Sequence, residues 1–332
     1  MRVEAYAPGR VNLIGEHTDY TGGYVLPMAV DLGTTVVFER GGTTVRLEST
    51  EQSEPAVVPI DPEQEGTIPA GWARYVAGVV AAVRPAEGGR GVVTTSLPLG
   101  AGLSSSAALE VALALALGFD GGPLELALIC QQAEWLAFGV PTGIMDQLAS
   151  AAGKAGHALL IDCRTREVTP VPLPADVDVV VADSGERRSV AMSAYAERRA
   201  QCEAAAALVG ALRDASINAI EGIVDPVLRR RARHVVTENA RVLAFVECIR
   251  RGDLRGAGEI MIAGHASLRD DFEVSTPALD LLVEKLCATR GVYGARLTGA
   301  GFGGCVVALA DPTSTTPGRR LRASAGATLE SI

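Results

Sequence analysis

The alternation of apolar and polar positions predicts strands in the first part of the chain. Apolar runs at 25–31 and 33–39, joined through Gly33, indicate two strands, and a third follows at 43–49. The stretch 50–71 is rich in Glu, Pro and Gly. It therefore predicts a surface excursion without regular structure.

Helical periodicity dominates the middle and the second half. Helices are predicted to begin near Trp72, after a glycine-rich turn at 98–102, over 123–138, near Gly143, and repeatedly within 190–290. Further strands are predicted at 91–96, 158–162 and 177–182, and a strand–turn–strand unit at 294–309. Strands followed by helices indicate the α+β class and not a doubly wound parallel sheet.

Length and composition restrict the class of protein. A chain of 332 residues is long for one core, so we expect two domains, at 1–165 and 166–332. The formal net charge of −9 argues against a nucleic-acid-binding surface. A short basic run at 229–233 has no interleaved aromatic residues and is typical of a solvated helix face.

Cysteine spacing and hydropathy bear on location. Six cysteines lie far apart without a C-x-x-C pair, which is typical of reduced thiols in the cytoplasm. The first residues reach a proline and a glycine before any apolar run, which is not typical of a signal peptide. The longest apolar stretch, around 112–119, is too short to span a bilayer. We expect a cytoplasmic protein without membrane or nucleic-acid partners.

A glycine- and serine-rich segment at 98–108 follows a predicted strand and opens a helix. Small residues allow the backbone to approach an anion, and the helix N-terminus adds partial positive charge. The segment lacks the G-K-[ST] of a P-loop and the glycine spacing of a dinucleotide-binding motif. It predicts an ATP phosphate site formed by Gly100, Ala101, Gly102, Leu103, Ser104, Ser105, Ser106 and Ala107. A plain turn capped by serine is the alternative.

Polar residues are concentrated in a second segment, at 7–20. Arg10, Asn12, Glu16, His17 and Asp19 occur among glycines and apolar residues. Hydroxyl-rich ligands require such fixed donors and acceptors. Taken singly, the histidine is more typical of a structural role and the aspartate of a turn or cap.

Two further carboxylates are candidates for phosphoryl-transfer chemistry. Asp146 lies at a predicted helix start near Gly143, where it is either a helix-stabilising charge or a group that orients an acceptor hydroxyl. Glu134 lies on the preceding predicted helix, where it is either a surface residue or a magnesium ligand.

Together these motifs resemble the galactokinase family of the GHMP small-molecule kinases. The segments 7–20, 98–108 and 298–305 occur in the order typical of that superfamily. Residues 9–20 are very similar to the galactokinase signature, and the stretches 143–147, 157–163 and 265–274 also match. The resemblance implies a two-domain fold with the active site in the cleft between a β-rich N-terminal and a helix-rich C-terminal domain.

The resemblance also implies roles for individual residues. Arg10 and Asp146 would flank the C1 hydroxyl of α-D-galactose, with the aspartate as base and the arginine stabilising its charge. Ser106 and Glu134 would bind Mg²⁺. Trp72 and Tyr75 would lie near the adenine, although their helical spacing also fits a core position. The sugar would be bound by Glu16, His17, Asp19, Gly143 and Tyr195.

The implied reaction is phosphorylation of galactose by magnesium-ATP, in a monomer or weak homodimer. Two alternatives remain open at this stage. One is the same chemistry on N-acetylgalactosamine, L-arabinose or galacturonic acid. The other is a non-catalytic galactose sensor, which the uninterrupted serine run 104–106 and Asp146 disfavour. The chain departs from the family pattern near 311–319, where relatives carry a helix.

Overall fold

The computed structural model describes residues 1–61, 70–98, 102–140, 142–186 and 191–332, without the side chains of Ala191 and Met192. Six strands form the largest sheet, and smaller sheets contain four and three strands. The strands are β1 (Arg2–Asn12), β2 (Tyr24–Val25), β3 (Pro27–Arg40), β4 (Thr44–Ser49), β5 (Gln52–Pro59), β6 (Gly89–Thr95), β7 (His157–Asp162), β8 (Glu167–Pro172), β9 (Asp178–Asp183), β10 (Val292–Thr298), β11 (Cys305–Ala310), β12 (Arg319–Leu321) and β13 (Thr328–Ser331).

The helices are concentrated after residue 72. They are α1 (Ala73–Val83), α2 (Ser105–Ala116), α3 (Pro123–Phe138), α4 (Met145–Ala152), α5 (Ala191–Val209), α6 (Ile217–Glu221), α7 (Pro226–Arg251), α8 (Leu254–Asp270) and α9 (Pro277–Cys287), with a 3₁₀-helix at Leu212–Asp214. Local sequence determines several ends. Proline follows the cap residue of α7, and Asp225 and Thr276 accept backbone hydrogen bonds at the N-termini of α7 and α9.

The large sheet has the strand order β13-β1-β3-β6-β4-β5 and is antiparallel except where β4 pairs with β6. Helix α2 is buried on most sides because its sequence is almost entirely Ala, Leu and Val, and it packs against β1 and β3. Helix α4 also packs on β1. This arrangement brings the ends of β1, α2 and α4 together.

A second sheet, with the order β10-β11-β9-β12, lies among the later helices. Helix α8 packs directly on β10, and a separate apolar cluster lies beneath them around Phe272, Leu297 and Val306. Among the described residues, no helix is long and apolar enough to cross a membrane.

Most predicted elements are confirmed, and two predictions are wrong. Gly33 does not separate two strands, because 27–40 forms one continuous strand paired with both β1 and β6. The stretch 50–71 is not wholly irregular, because 52–59 forms β5 against β4. Alternate burial in β5 explains this, since Ala56 and Val58 face the core despite the polar composition around them. Residues 62–69 lie outside the described part of the chain.

The division at 165 and 166 remains a prediction. The segment from β11 to β12, which includes the shortened region 311–319, contains no helix among its described residues. The last strand, β13, does not join the second sheet. It pairs with β1 at the edge of the first.

The contact between α8 and β10 gives a stability prediction at Gly258. A Cβ atom added there would lie 2.0 Å from the backbone oxygen of Tyr293, which cannot move without shifting the strand. We expect Gly258→Ala to lower the free energy of unfolding by about 3 kcal/mol in chemical denaturation. Gly156→Ala is the control, because its Cβ would meet nothing within 4 Å and only its positive φ, costing about 1 kcal/mol, opposes the change. Equal effects of the two substitutions would contradict this account of the packing.

Candidate active site

The centre of the candidate site is an ion pair between Arg10, near the end of β1, and Asp146, in the first turn of α4. Nε and Nη2 of the arginine donate to Oδ1 and Oδ2 of the aspartate, both at 2.7 Å. Two parallel hydrogen bonds fix the relative orientation of the planar groups. The β1–β3 register shifts between Pro8 and Arg10, and such bulges redirect side chains.

The same arginine also holds the segment that precedes α2. Its Nη1 donates to the carbonyl oxygen of Gly102 at 2.6 Å, and its backbone N–H donates to the carbonyl oxygen of Leu103 at 3.1 Å. The hydroxyl of Ser104 in turn donates to Oδ2 of Asp146 at 2.5 Å. The predicted phosphate loop and the predicted base are therefore joined directly.

Asp19 lies beside this pair, against the backbone of Gly143. A Cβ on Gly143 would lie only 1.5 Å from Oδ2 of Asp19, so a residue larger than glycine does not fit. Burial and, to a smaller extent, the charge of Asp146 raise the pKa of Asp19 to about 6, against the opposing charge of Arg10. Two carboxylates close together in a partly buried site make ionised Asp19 unfavourable.

Tyr195, on α5, completes this side of the site. The backbone of Gly143 hydrogen-bonds its hydroxyl, and burial followed by the charge of Asp19 raises the pKa of that hydroxyl. The ring lies 5.2 Å from that of Tyr20 and 5.8 Å from that of His17, between centroids. The structure thus brings Arg10, Asp19, Gly143, Asp146 and Tyr195 into one cluster.

Both ring nitrogens of His17 contact protein groups. Its Nδ1 lies 3.0 Å from the hydroxyl of Tyr20 and its Nε2 lies 3.2 Å from the carbonyl oxygen of Ala300. Its ring packs on Phe272 at a centroid distance of 4.6 Å. It links the signature segment to the glycine turn after β10.

Glu16 takes part in a fully buried charge cluster. Its Oε2 lies 2.5 Å from Nη2 of Arg296 on β10, and Nη1 of Arg296 lies 2.7 Å from Oε1 of Glu238 on α7. Burial raises the pKa of Glu16 to about 7, against the opposing charge of Arg296. The backbone N–H of Gly299 also donates to Glu16. The glutamate is thereby oriented at the base of the glycine turn.

Ser106 and Glu134 lie in a second polar cluster. The hydroxyl of Ser106 hydrogen-bonds that of Tyr75, and burial, together with the charges of Glu134 and Glu110, raises the pKa of Tyr75 to about 12. Thr142 donates to Oε2 of Glu134 at 2.5 Å. Tyr75 thus lies beside Ser106 of the predicted phosphate-binding segment, and its ring packs on Phe138.

Sequence reasoning missed two residues of this second cluster. Nε2 of Gln147 donates to Oε2 of Glu134 at 3.1 Å and to Oε2 of Glu110 at 3.3 Å. Glu110 is fully buried, and burial raises its pKa well above the usual value, with further contributions from Glu134 and Asp146. The available signal was its position as the one charged residue in the sequence of α2. Arg296, a charge within a buried strand, was a similar signal.

The second cluster suits a magnesium ion. The atoms available as metal ligands are oxygens. Among the described residues no arginine or lysine forms an ion pair with Glu110 or Glu134. Oε1 of Glu110 is buried without a hydrogen-bond partner. Magnesium prefers one or two carboxylates together with substrate phosphates. In the described part of the chain no three His, Cys, Asp or Glu side chains form a preformed metal site.

The remaining residues predicted to bind ATP lie outside both clusters or outside the described part of the chain. Trp72 lies at the start of α1, and its Nε1 donates to the carbonyl oxygen of Glu54 on β5. Ser105 and Ala107 lie in the first turn of α2. Gly100 and Ala101 fall outside the described residues.

Comparison with known proteins defines the class first. The family models for the N-terminal and C-terminal domains of GHMP kinases match residues 74–154 and 245–318. A mevalonate kinase from Methanococcus jannaschii superposes with a TM-score of 0.65 at 19% identity, over 98% of each chain, which supports the fold alone. The fold and the paired domain matches are those of a GHMP kinase.

The more specific matches define the family. The galactokinase galactose-binding signature matches residues 3–40. Galactokinases from Homo sapiens and Roseiflexus sp. (strain RS-1) are 46% and 45% identical, over 93% of this chain and 83% of each relative. A Lactococcus lactis galactokinase complexed with galactose superposes with a TM-score of 0.92 at 31% identity, covering 98% of this chain and 95% of that one. The chain belongs to the galactokinase family.

The raised pKa of Asp19 gives a testable dependence of stability on pH. The folded state binds a proton at Asp19 more readily than the unfolded state does. The contribution of this group to the free energy of unfolding therefore falls as pH rises from about 4 to about 6. We expect Asp19→Asn to raise the melting temperature of the ligand-free protein at pH 7.5, with a smaller rise at pH 4. Thermal denaturation across this range measures it, with exposed Asp120→Asn as the control. If Asp19→Asn instead melts at a lower temperature than the wild type at pH 7.5, the buried carboxylate of Asp19 does not destabilise the folded protein.

Proposed function

We propose that this protein transfers the γ-phosphoryl group of ATP to the C1 hydroxyl of α-D-galactose, giving galactose 1-phosphate and ADP. The observation that carries the proposal is the bidentate Arg10–Asp146 pair joined to the segment before α2. A proton acceptor and a phosphate-binding element are thereby held next to each other, as phosphoryl transfer requires. Family membership supports galactose as the acceptor.

In the proposed reaction the C1 oxygen attacks the γ-phosphorus while its proton passes to Asp146. The bond between the γ-phosphorus and the bridging oxygen breaks, and ADP leaves with the electron pair. Arg10 keeps the carboxylate in one orientation and its guanidinium offsets the negative charge near the transferred group. Asp19, Tyr195 and the backbone of Gly143 would bind the sugar hydroxyls directly. Glu16 and His17 would bind them in exchange for the contacts that they make with protein groups.

Magnesium would be held by Ser106 and Glu134. A magnesium ion held there would offset the negative charge of the phosphates during transfer. Thr142 and Gln147 both donate to Oε2 of Glu134 and so orient its carboxylate. The backbone of the segment 100–107 would contact the phosphates, and Trp72 and Tyr75 would lie on the nucleotide side.

We also propose a cytoplasmic location and a monomer or weak homodimer. All six cysteines are free thiols, which supports a reducing compartment. Size-exclusion chromatography with light scattering at several protein concentrations tests the oligomeric state. A stable tetramer would contradict it.

The reaction is tested by ADP release from the purified protein with magnesium-ATP and single sugars. The panel is galactose, 2-deoxygalactose, N-acetylgalactosamine, L-arabinose, galacturonate and glucose. We expect rapid turnover with galactose and little with glucose. Preference for another member of the panel would keep the chemistry and correct the substrate. No turnover with any sugar, from folded protein, would favour a galactose sensor.

The role of Asp146 is tested by Asp146→Asn, which preserves shape but removes the proton-accepting charge. We expect kcat with galactose to fall by about 10²-fold or more. Asp120→Asn, at an exposed position, should leave kcat unchanged. Near-normal turnover of Asp146→Asn would exclude the aspartate as the base.

The role of Glu134 is tested by Glu134→Gln in a magnesium titration at fixed ATP. Loss of one anionic ligand should raise the magnesium concentration for half-maximal activity by about tenfold. Glu87→Gln, also exposed, is the matched control. An unchanged titration curve would remove Glu134 from the metal site.

A further inference from the structure

Ser104 occupies the N-cap position of α2 in an unusual conformation. Its φ of 56° and ψ of 49° lie in the left-handed region, and its side chain makes no capping hydrogen bond. A left-handed conformation is unfavourable for a residue with a Cβ, and a serine at an N-cap normally accepts a bond from the helix backbone. Ser216, at the N-terminus of α6, behaves in that normal way, with extended dihedral angles and a bond from the N–H of Ala219.

The hydroxyl of Ser104 is directed instead towards the proposed base. It donates to Oδ2 of Asp146 at 2.5 Å, the same oxygen that accepts from Nη2 of Arg10. Oδ1 accepts from Nε of Arg10. The carboxylate is therefore fixed from two sides, by β1 and by the start of α2. At Ser104 the left-handed conformation and the missing cap coincide with a hydroxyl that reaches the carboxylate, and such strain is a reason to look for function there.

We infer that Ser104 is a positioning residue for Asp146, which fixes the rotation of the proton-accepting carboxylate relative to the phosphate-binding segment. The inference rests on the proposed function, in which Asp146 accepts the sugar proton. A hydroxyl has one proton to donate. While Ser104 donates it to Asp146, the hydroxyl cannot donate it to a phosphate oxygen of ATP. The side chain of Ser104 thus acts on the sugar side of the reaction, and its neighbours in the loop act on the nucleotide side.

Substitution by glycine separates this role from a structural one. Ser104→Gly removes the hydroxyl but also relieves the left-handed strain, because glycine adopts positive φ readily. We expect its unfolding free energy to be equal to or higher than that of the wild type. Its kcat with galactose should nevertheless fall by about tenfold or more, since a hydrogen bond to a charged group is lost. Ser104→Ala should show the same fall in kcat without the relief of strain.

Two measurements distinguish the base from the nucleotide as the target of the hydroxyl. The Kd of ATP, measured by calorimetry without sugar, should change by less than about twofold in Ser104→Gly. In an Asp146→Asn background the glycine substitution should cause no further loss of the residual rate, because the group it positions has gone. Ser216→Ala is the matched control. It removes a true capping bond, so it should lower stability and leave kcat unchanged.

The inference is overturned by a normal kcat in Ser104→Gly. It is also overturned by a raised Kd of ATP with unchanged kcat, which would assign the hydroxyl to phosphate. If the wild-type protein phosphorylates no sugar, the proposed function fails first. The Ser104–Asp146 contact can then be measured separately, by a double-mutant cycle of unfolding free energies with Ser104→Gly and Asp146→Ala. Additive effects in that cycle would show that the two side chains are not coupled.

Discussion

The ion pair between Arg10 and Asp146 joins three parts of the chain that are distant in sequence. The arginine belongs to β1, the aspartate to α4, and the carbonyl oxygen of Gly102, which the same guanidinium contacts, precedes α2. A guanidinium donates in a fixed plane, so each contact restricts the other two. If Arg10 moved, the carboxylate of Asp146 and the segment before α2 would lose the hydrogen bonds that hold them next to each other. The geometry of the site therefore depends on the placement of this one side chain.

Around this pair the protein buries more negative than positive charge. Asp19, Glu134 and Glu110 form no ion pair in the described part of the chain, whereas Glu16 and Glu238 share Arg296. Uncompensated carboxylates in a low-dielectric interior are unfavourable, and ligands that bring hydroxyl protons or a metal ion reduce that cost. Burial accordingly raises the pKa values of these three carboxyl groups, and a cationic ligand would favour their ionised form. Stability and ligand binding are expected to be opposed at the same residues.

The sequence predicted most of the helices and several inner strands, and it singled out two candidate motifs, because these depend on local patterns. Helix 123–138 and the strand–turn–strand unit at the end follow from periodicity, and the polar residues at 7–20 stand out from their apolar neighbours. The contacts of Gln147, Glu110 and Arg296 were not predictable, because they depend on how α2, α4 and β10 meet in space. β5 was missed for a related reason. Polar residues and prolines make up most of its sequence, and its buried positions are recognised only once β4 lies beside it.

The pairing of β13 with β1 has a consequence for how the chain acquires its structure during synthesis. Residues 328–331 cover an edge of the strand that carries Arg10, yet the ribosome releases them more than three hundred residues after that strand. Until then the free edge of β1 presents unpaired backbone groups, which are a common point of association between nascent chains. The first sheet can form early but can be completed only late. Until β13 pairs with β1, that edge of the first sheet stays open to association with other chains.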